Sequence, residues 1–479
     1  MNCTTLQKLV PVQIASQLAH ETGVPIYLVG GAVRDALTGA FFEGDCDFAV
    51  AGGFEYIVEK FTHRINGHAI PWDFNQTRVV YRERAGKHIS VDFAQCKADD
   101  ILEDLHMRDF TINALAIDVA GLCGQAAPEI IDPLGGRDDL ARKLVRMCNP
   151  HGFDDDPLRM LRAVRFARQA GCVIDPPTLD CCTKKHALIA GISIERIKKE
   201  LFTIFNLAEP ALSIRQLLQT GLLSALLPEI SGWQEYVQCP PHQFKLLEHS
   251  LKTVEKLEGM LHTAAQQIPA CLAEVLEEGV TRRALLFFTA FLHDSGKPAA
   301  SKEVAGKRCF HGHDQEGARI NRTAAERLGL GRRCRRMVSD ITKNHMRLLQ
   351  LSLLEKLSER AKLRFLRDCD DVAVEVVLLS LADMLATSAA PAYQVQLQTA
   401  CALGEELLAQ TVSRDGKHDV SPLLTGSDII TELGIKAGPQ VGELLAELHL
   451  GERQGRINTR EEALAWLETR KNITPDIPA

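Results

Sequence analysis

Hydrophobic and polar positions divide this chain into two regimes. Up to about residue 145, short apolar runs alternate with polar turns: Y-L-V from Tyr27, D-F-A-V from Asp47, T-R-V-V-Y from Thr77 and I-S-V-D-F-A from Ile89. Each is short, rich in β-branched and aromatic residues and bounded by turn formers, which predicts a strand. A helical-looking A-V-R-D-A-L follows Gly30-Gly31, and T-I-N-A-L-A-I-D-V-A from Thr111 reads as a helix-to-strand passage. From about Asp154 the apolar residues recur at helical spacing, as in D-P-L-R-M-L-R-A-V-R-F-A-R from Asp156. P-P-H-Q-F from Pro240 reads as a linker, and S-R-D-G-K-H from Ser413 as a second boundary. Turn signals at Gly426, Gly434 and Gly438-Pro439 then mark a small tail. The fold class expected is α+β: a small N-terminal mixed β-sheet domain followed by mostly α-helical domains.

Composition narrows the function classes. The 479 residues carry 46% hydrophobic and 24% charged side chains, as ordinary soluble globular proteins do. A net charge of −7 means that any nucleic-acid contact must use local basic patches, not a global field. The 14 cysteines are scattered, with one adjacent pair at Cys181-Cys182 and no C-x-x-C or zinc-ligand spacing. That pattern reads as reduced thiols, not a disulfide framework. The N-terminus lacks a signal-peptide core, and the longest apolar run, Ala284 to Leu292, is too short to span a bilayer. The expectation is a cytoplasmic protein with no membrane partner.

Asp45 and Asp47 are two apart in a strand pattern, so both carboxylates fall on one face. Two like charges that close require a cation, and hard oxygen ligands suit Mg²⁺ together with substrate phosphates. Asp92, in S-V-D-F, offers a third carboxylate from a neighbouring strand. Gly30 and Gly31 stand between a strand and a helix, where backbone N–H groups can cradle a phosphate, and Arg34 lies one turn in. A lone D-x-D or a lone G-G would read as a surface pair or a tight turn. In order and within eighteen residues, they favour a nucleoside-triphosphate site.

G-G-A-V-R-D…G-D-C-D resembles the head motif of the class II tRNA nucleotidyltransferase and bacterial poly(A) polymerase superfamily. R-D-F-T-I-N-A-L-A (Arg108 to Ala116), I-D-P-L-G-G-R-D-D-L (Ile131 to Leu140), F-D-D-D-P-L-R-M-L-R-A-V-R-F-A (Phe153 to Ala167) and E-R-I-K-K-E-L (Glu195 to Leu201) resemble its later motifs, in order. The resemblance implies an enzyme that extends the 3′ acceptor end of tRNA from CTP and ATP with Mg²⁺, on a head, neck, HD and tail plan. Residues 1–145 would be the catalytic head, 146–240 the neck with a base-template helix, 241–412 an HD domain and 413–479 a helical tail. Asp156, Arg159, Arg162 and Arg165 are spaced by three, hence on adjoining parts of one helix face. By resemblance Asp156 and Arg159 pair with the incoming base, while Arg108, Arg162 and Arg165 hold sugar or phosphate. Only 15 residues separate Asp92 from Arg108, where CCA-adding relatives carry a longer loop, and Met107-Arg108 replaces a pair of arginines. CCA addition and CC addition therefore both remain open, with a poly(A) polymerase or an RNA-binding protein with an inactive head as rivals.

A second constellation lies downstream. A-F-L-H-D-S-G-K-P places His293-Asp294 at the end of an apolar helix, with His249 upstream and His311, His313, His345 and Asp383 downstream. The order resembles the HD phosphohydrolases, implying a metal set of His249, His293, Asp294 and Asp383, with His313 and His345 for a second ion or a phosphate. Imidazole with carboxylate suits Mn, Ni, Fe or Zn. The implied chemistry is attack of water on a phosphate ester such as a 2′,3′-cyclic phosphate; a mainly hydrolytic enzyme and a degenerate scaffold are the alternatives. G-R-R-C-R-R from Gly331 is the densest positive cluster. It reads as a solvated loop, or, with Lys198 and Lys199, as an RNA contact.

Overall fold

A computed structural model describes residues 6–39, 46–73, 75–83, 88–122, 129–263, 270–304, 307–388, 390–415, 423–435, 438–453, 456–457 and 459–471. The first domain opens with α1 (Val10–Thr22), β1 (Ile26–Val29), α2 (Gly31–Thr38), β2 (Cys46–Val50) and α3 (Phe54–Ile65). Strands β3 (His68–Asp73), β4 (Gln76–Arg82) and β5 (His88–Gln95) come next, then α4 (Ile101–His106), β6 (Ala116–Asp118) and β7 (Ile130–Ile131). Among the described residues they form a seven-stranded sheet in the order β3-β4-β5-β2-β1-β6-β7. It is mixed as expected: β2 and β5 run parallel, and the other neighbours are antiparallel.

Period-two alternation sorts the side chains between the two faces. Leu28, Phe48, Val50, Val91 and Phe93 pack beneath α1 and α3. There Phe48 stacks on Phe93 at 5.3 Å between centroids, and Phe61 of α3 meets Phe93 edge-on at 4.7 Å. The opposite face carries Val29, Ala49 and Ala116 against Ile101 and Leu105 of α4, and leaves room for Asp47 and Asp92. At the edge, β3 exposes Ile70 and Trp72 and holds Pro71, which an interior strand could not accept.

The segment from Ile131 to Leu140 fastens this domain to the helical body. The Asp132 carboxylate accepts from the backbone N–H groups of Gly136 (2.7 Å) and Arg137 (3.0 Å) at the start of α5 (Gly136–Ala141). Asp139, on that helix, accepts from the Thr111 hydroxyl at 2.5 Å and from Arg146 Nε at 2.9 Å.

The remaining chain is mostly helical, with three two-stranded sheets among the described residues; its helices include α6 (Arg159–Gln169), α7 (Ile194–Phe205), α8 (Pro210–Gln219), α9 (Leu246–Thr263), α10 (Arg282–Leu292), α11 (His313–Arg327), α12 (Arg332–Asn344), α13 (Ala373–Thr387) and α14 (Pro391–Asp415). One continuous apolar core runs through them, from Phe110 to Leu407. The tail helices α15 (Gly426–Leu433), α16 (Pro439–Arg453) and α17 (Arg460–Lys471) close over a separate core containing Ile429, Leu448 and Leu467. The boundary expected over Ser413 to His418 falls partly in the end of α14 and partly outside the described residues. The described cysteines, Cys181 and Cys182 included, form no disulfides. Among the described residues, no helix is long and apolar enough to cross a membrane.

α10 and α13 are buried along almost their whole length, yet Arg282 of α10 and Glu375 of α13 lie in the interior. Arg282 Nε donates to Glu375 Oε1 at 2.6 Å and its Nη2 to Oε2 at 2.9 Å, a two-pronged pair with both partners buried. Removing one partner strands the other charge away from water. Arg282→Met is therefore expected to lower the unfolding free energy by about 3–5 kcal/mol in chemical denaturation, and Arg282→Met with Glu375→Leu to recover most of it.

Candidate active site and metal centre

The parallel pairing of β2 with β5 sets Asp47 opposite Asp92, and the antiparallel pairing of β1 with β2 sets Val29 opposite Asp47. Gly30, the next residue, turns the chain into α2 with φ +70° and ψ −130°, a conformation that demands glycine. A Cβ there would lie 3.4 Å from both Asp47 Oδ2 and Arg108 Nη1. Gly30, Asp47 and Arg108 thus meet at one point, beside the N-terminal backbone of α2, as the order of motifs implies. Asp45 lies outside the described residues. Asp92 is in place but already paired: Arg78 Nε and Nη2, from β4, reach its two oxygens at 2.7 Å each. The sequence pattern does not reveal Arg78, because its relation to Asp92 is one of cross-strand register.

Arg34, one turn into α2, donates from Nη1 to Asn113 Oδ1 at 2.7 Å and from Nε to Asp35 at 2.9 Å. Asn113 donates in turn to Asp109 Oδ1 at 3.2 Å, and Asp109 Oδ2 lies 2.6 Å from Arg162 Nη2. Burial alone would raise the Asp109 carboxyl; the Arg162 guanidinium and two hydrogen bonds hold it below its usual range. Phe166 of α6 gathers the guanidiniums of Arg34, Arg162 and Arg165 at 5.4, 5.5 and 4.2 Å from its ring centre. Arg165 is committed elsewhere, with Nε 2.6 Å from Glu200 Oε2 on α7. Arg108 is steadied by Asp104 at 3.0 Å.

Asp156 corrects the expectation of one helix face. α6 begins at Arg159, and Asp156 is extended at φ −144°, ψ 92°, because the residue before a proline, here Pro157, is pushed out of the helical region. Its carboxylate still lies near the helix start: Leu158 N donates to Oδ1 at 3.3 Å and Arg196 Nη2 to Oδ2 at 2.8 Å. Arg159 reaches back to the first domain, donating to the main-chain oxygens of Met107 (2.9 Å) and Arg108 (3.3 Å).

The basic cluster lies on a helix, not in a loop. It forms the first turns of α12, and its charge faces acids of the same chain: Arg333 meets Glu274 and Asp371, and Arg335 meets Glu326. Lys198 pairs with Glu277 at 3.1 Å, and Lys199 with Glu278 at 3.3 Å. Opposite charges close at hand take up most of this cluster.

The second constellation assembles inside the helical body around Asp294. His249 comes from α9, His293 and Asp294 from the end of α10, His313 from the start of α11, His345 from just past α12 and Asp383 from α13. Asp294 Oδ2 faces His249 Nε2 at 3.2 Å and His293 Nε2 at 3.1 Å, while Oδ1 faces His313 Nε2 at 3.3 Å and His345 Nε2 at 3.8 Å. Asp383 Oδ1 lies 3.0 Å from His249 Nε2 and 3.6 Å from His293 Nε2. Gly296 makes this approach possible, since a Cβ there would stand 2.1 Å from the His313 carbonyl oxygen.

The donors fit a metal ion. His293, His313 and His345 each donate from Nδ1 to a backbone carbonyl, at 2.8, 2.8 and 2.6 Å. A carbonyl only accepts, so Nδ1 carries the hydrogen and Nε2 is left to face the ligand cluster. The Nε2 atoms of His249, His293, His313 and His345 are buried without a hydrogen-bond partner, as is Asp294 Oδ2. Burial, aided by the neighbouring His293, holds His345 down to about 4, so it is neutral at pH 7. Burial works the same way on His293, but the Asp294 and Asp383 carboxylates outweigh it and raise that ring to about 10. Two groups of ligand atoms lie within 4.8 Å of one another: His242, His249, Asp294 and Asp383; and His293, Asp294 and His345.

The stretch P-P-H-Q-F, expected to be a linker, supplies a member of this site. His242 Nε2 is 2.9 Å from Lys297 Nζ, and Lys297 also reaches Gln238 Oε1 at 2.6 Å and Asp294 Oδ2 at 2.5 Å. Two of the ammonium's N–H groups meet acceptors, and its charge pairs with the Asp294 carboxylate. Lys297 stands one turn past His293 in the sequence, which is a usable signal; His242 offers none.

A family model described as Poly A polymerase head domain matches residues 26–146, one described as Probable RNA and SrmB- binding site of polymerase A matches 172–233, and one described as HD domain matches 246–388. The chain is 30% identical over 477 residues to a CC-adding tRNA nucleotidyltransferase of Geobacter sulfurreducens, across 97% of this chain and 96% of that one. It is 29% identical over 462 residues to an A-adding tRNA nucleotidyltransferase of Deinococcus radiodurans, across 94% and 96%. A solved CCA-adding enzyme in its apo form shares the fold, with a TM-score of 0.60 and 22% identity over 96% of this chain and 93% of that one. The matched segments follow the order of the motifs and cover both sites, and the chain belongs to the class II tRNA nucleotidyltransferase and poly(A) polymerase family, with an HD domain after its neck.

Proposed function

We propose that this protein is a cytoplasmic, template-independent nucleotidyltransferase that extends the 3′ acceptor end of tRNA with C, and with A as the nucleotide still to be assigned. The convergence of Gly30, Asp47 and Arg108 carries the reading: a glycine-lined space lies between an acidic and a basic group at a helix start. Asp45 and Asp47 would hold Mg²⁺, which when bound supplies charge stabilisation to a triphosphate and lowers the pKa of an attacking hydroxyl. The backbone of Gly30 and Gly31, with Arg34 and Arg108, would grip the triphosphate, and Arg162 the sugar or phosphate. Asp92, held by Arg78, lines the same face. The tRNA 3′-hydroxyl attacks the α-phosphate and pyrophosphate leaves.

Asp156 and Arg159 would choose the base. Cytosine and adenine each present an amino donor beside a ring-nitrogen acceptor; uracil and guanine present the reverse. A carboxylate beside a guanidinium complements the first pattern and leaves buried groups unpaired with the second. With the chain divided into residues 1–145, 146–240, 241–412 and 413–479, Gly30, Gly31, Arg34 and Arg108 would act from the first domain and Asp156, Arg159 and Arg162 from the second.

In the HD domain, His249, His293, Asp294 and Asp383 would hold one transition-metal ion, with His313 and His345 offering donors to a second through Asp294 Oδ1. Such a metal supplies an activated water for hydrolysis of a phosphate ester, and the class that fits an end-repairing enzyme is a 2′,3′-cyclic phosphate.

Incubation with tRNAs ending before C, C and A, each with CTP or ATP alone, is expected to give additions of one or two residues on a sequencing gel. Long A tails would favour a poly(A) polymerase instead. Asp47→Ala is expected to lower incorporation at least about a hundredfold, and unchanged incorporation would remove the catalytic assignment. Asp294→Asn is expected to abolish retained transition metal, read by elemental analysis of the purified protein, while leaving nucleotide incorporation intact. Metal retained at the wild-type level would sink the HD assignment.

A further inference from the structure

The two base-reading groups are tied to different parts of the molecule. Arg159 is anchored on the first domain through the carbonyls of Met107 and Arg108. Asp156 is anchored on the neck, where Arg196 of α7 donates from Nη2 to its Oδ2 at 2.8 Å. The Asp156 backbone is extended before Pro157 and is held by Gly152 O, on its N–H, and by Arg159 N, on its carbonyl, which leaves the carboxylate to side-chain partners. Its other contact is the local one from Leu158 N to Oδ1, at 3.3 Å. The position of Oδ2 relative to the neck therefore depends on Arg196.

Cytosine and adenine show an Asp–Arg pair the same order of donor and acceptor. They differ in reach, because the pairing edge of the purine stands farther from the sugar by the width of its second ring. Choosing between them is thus a question of where the carboxylate stands, whereas rejecting uracil and guanine is a question of whether it is present. Arg196 is half exposed, with 50% of its side chain accessible, and an ion pair so placed adds little to stability. Its chief consequence is position.

We propose that Arg196 is a specificity-determining residue, which by tying Asp156 Oδ2 to the neck sets the depth of the base pocket and with it the choice between CTP and ATP. The inference rests on the reading of Asp156 and Arg159 as the base-selecting pair.

The test measures single-nucleotide kcat and KM for all four nucleoside triphosphates on tRNA lacking its terminal residues. The proteins are the wild type, Arg196→Met, Arg196→Gln, Arg196→Lys and Asp156→Ala, each checked for an unchanged thermal unfolding profile. In Arg196→Met and Arg196→Gln the preference between CTP and ATP is expected to shrink about tenfold, while exclusion of UTP and GTP stays within about threefold of wild type. Arg196→Lys is expected to restore the preference, because one N–H···O contact is all the geometry requires. Asp156→Ala is expected to lose both discriminations. If Asp156→Ala loses them and the Arg196 variants keep the wild-type preference, the inference falls and the base-reading assignment stands. If Asp156→Ala itself discriminates normally, the assignment falls and takes the inference with it. A uniform loss of kcat for all four nucleotides in the Arg196 variants would show a merely structural role and overturn the proposal.

Discussion

Two parallel strands hold two acidic side chains abreast, and most of the first domain is arranged to make that tolerable. Asp47 and Asp92 occupy paired positions on β2 and β5, where like charges repel unless positive charge lies beside them. Arg78 answers Asp92 from the next strand, and Arg108 and the start of α2 stand beside Asp47. The same logic recurs in the helical body, where Asp294 and Asp383 are buried among imidazoles and the Lys297 ammonium. Burial alone would raise both carboxyls; His293 with Lys297 for Asp294, and His249 with His293 for Asp383, hold them well below the usual range. In each place the protein concentrates acid where a cation can finish the neutralisation.

Much of this is legible in the sequence because it is written locally. Strands β1, β2, β4 and β5 announce themselves by short β-branched and aromatic runs, and the strand–glycine–helix passage at Gly30 by its punctuation. What is not legible depends on register or on distant packing. β3 hides behind Pro71 and two exposed apolar residues, since an edge strand need not alternate. Arg78 matters only because β4 happens to pair with β5 at that offset. The spacing of three makes Asp156 read as helical, yet the proline beside it decides its backbone. The arginine-rich stretch reads as a solvated loop, yet it is helical and Arg333 and Arg335 find acidic partners between 9 and 59 residues away in the chain.

His242 and Gln238 carry a related lesson. A proline-rich stretch without regular structure reads as a connector, yet here it delivers two polar side chains to a buried ammonium. Irregular backbone on a rigid scaffold is where many sites are built, and the lack of periodicity in such segments removes the signal that would identify them.

The continuous apolar interior from Phe110 to Leu407 decides which parts can shift. It joins α6 to the helices around Asp294, while the sheet beneath α1 and α3 packs in a core of its own. The two cores meet where Arg159 grasps the main-chain oxygens of Met107 and Arg108 and where Phe166 lies under Arg34.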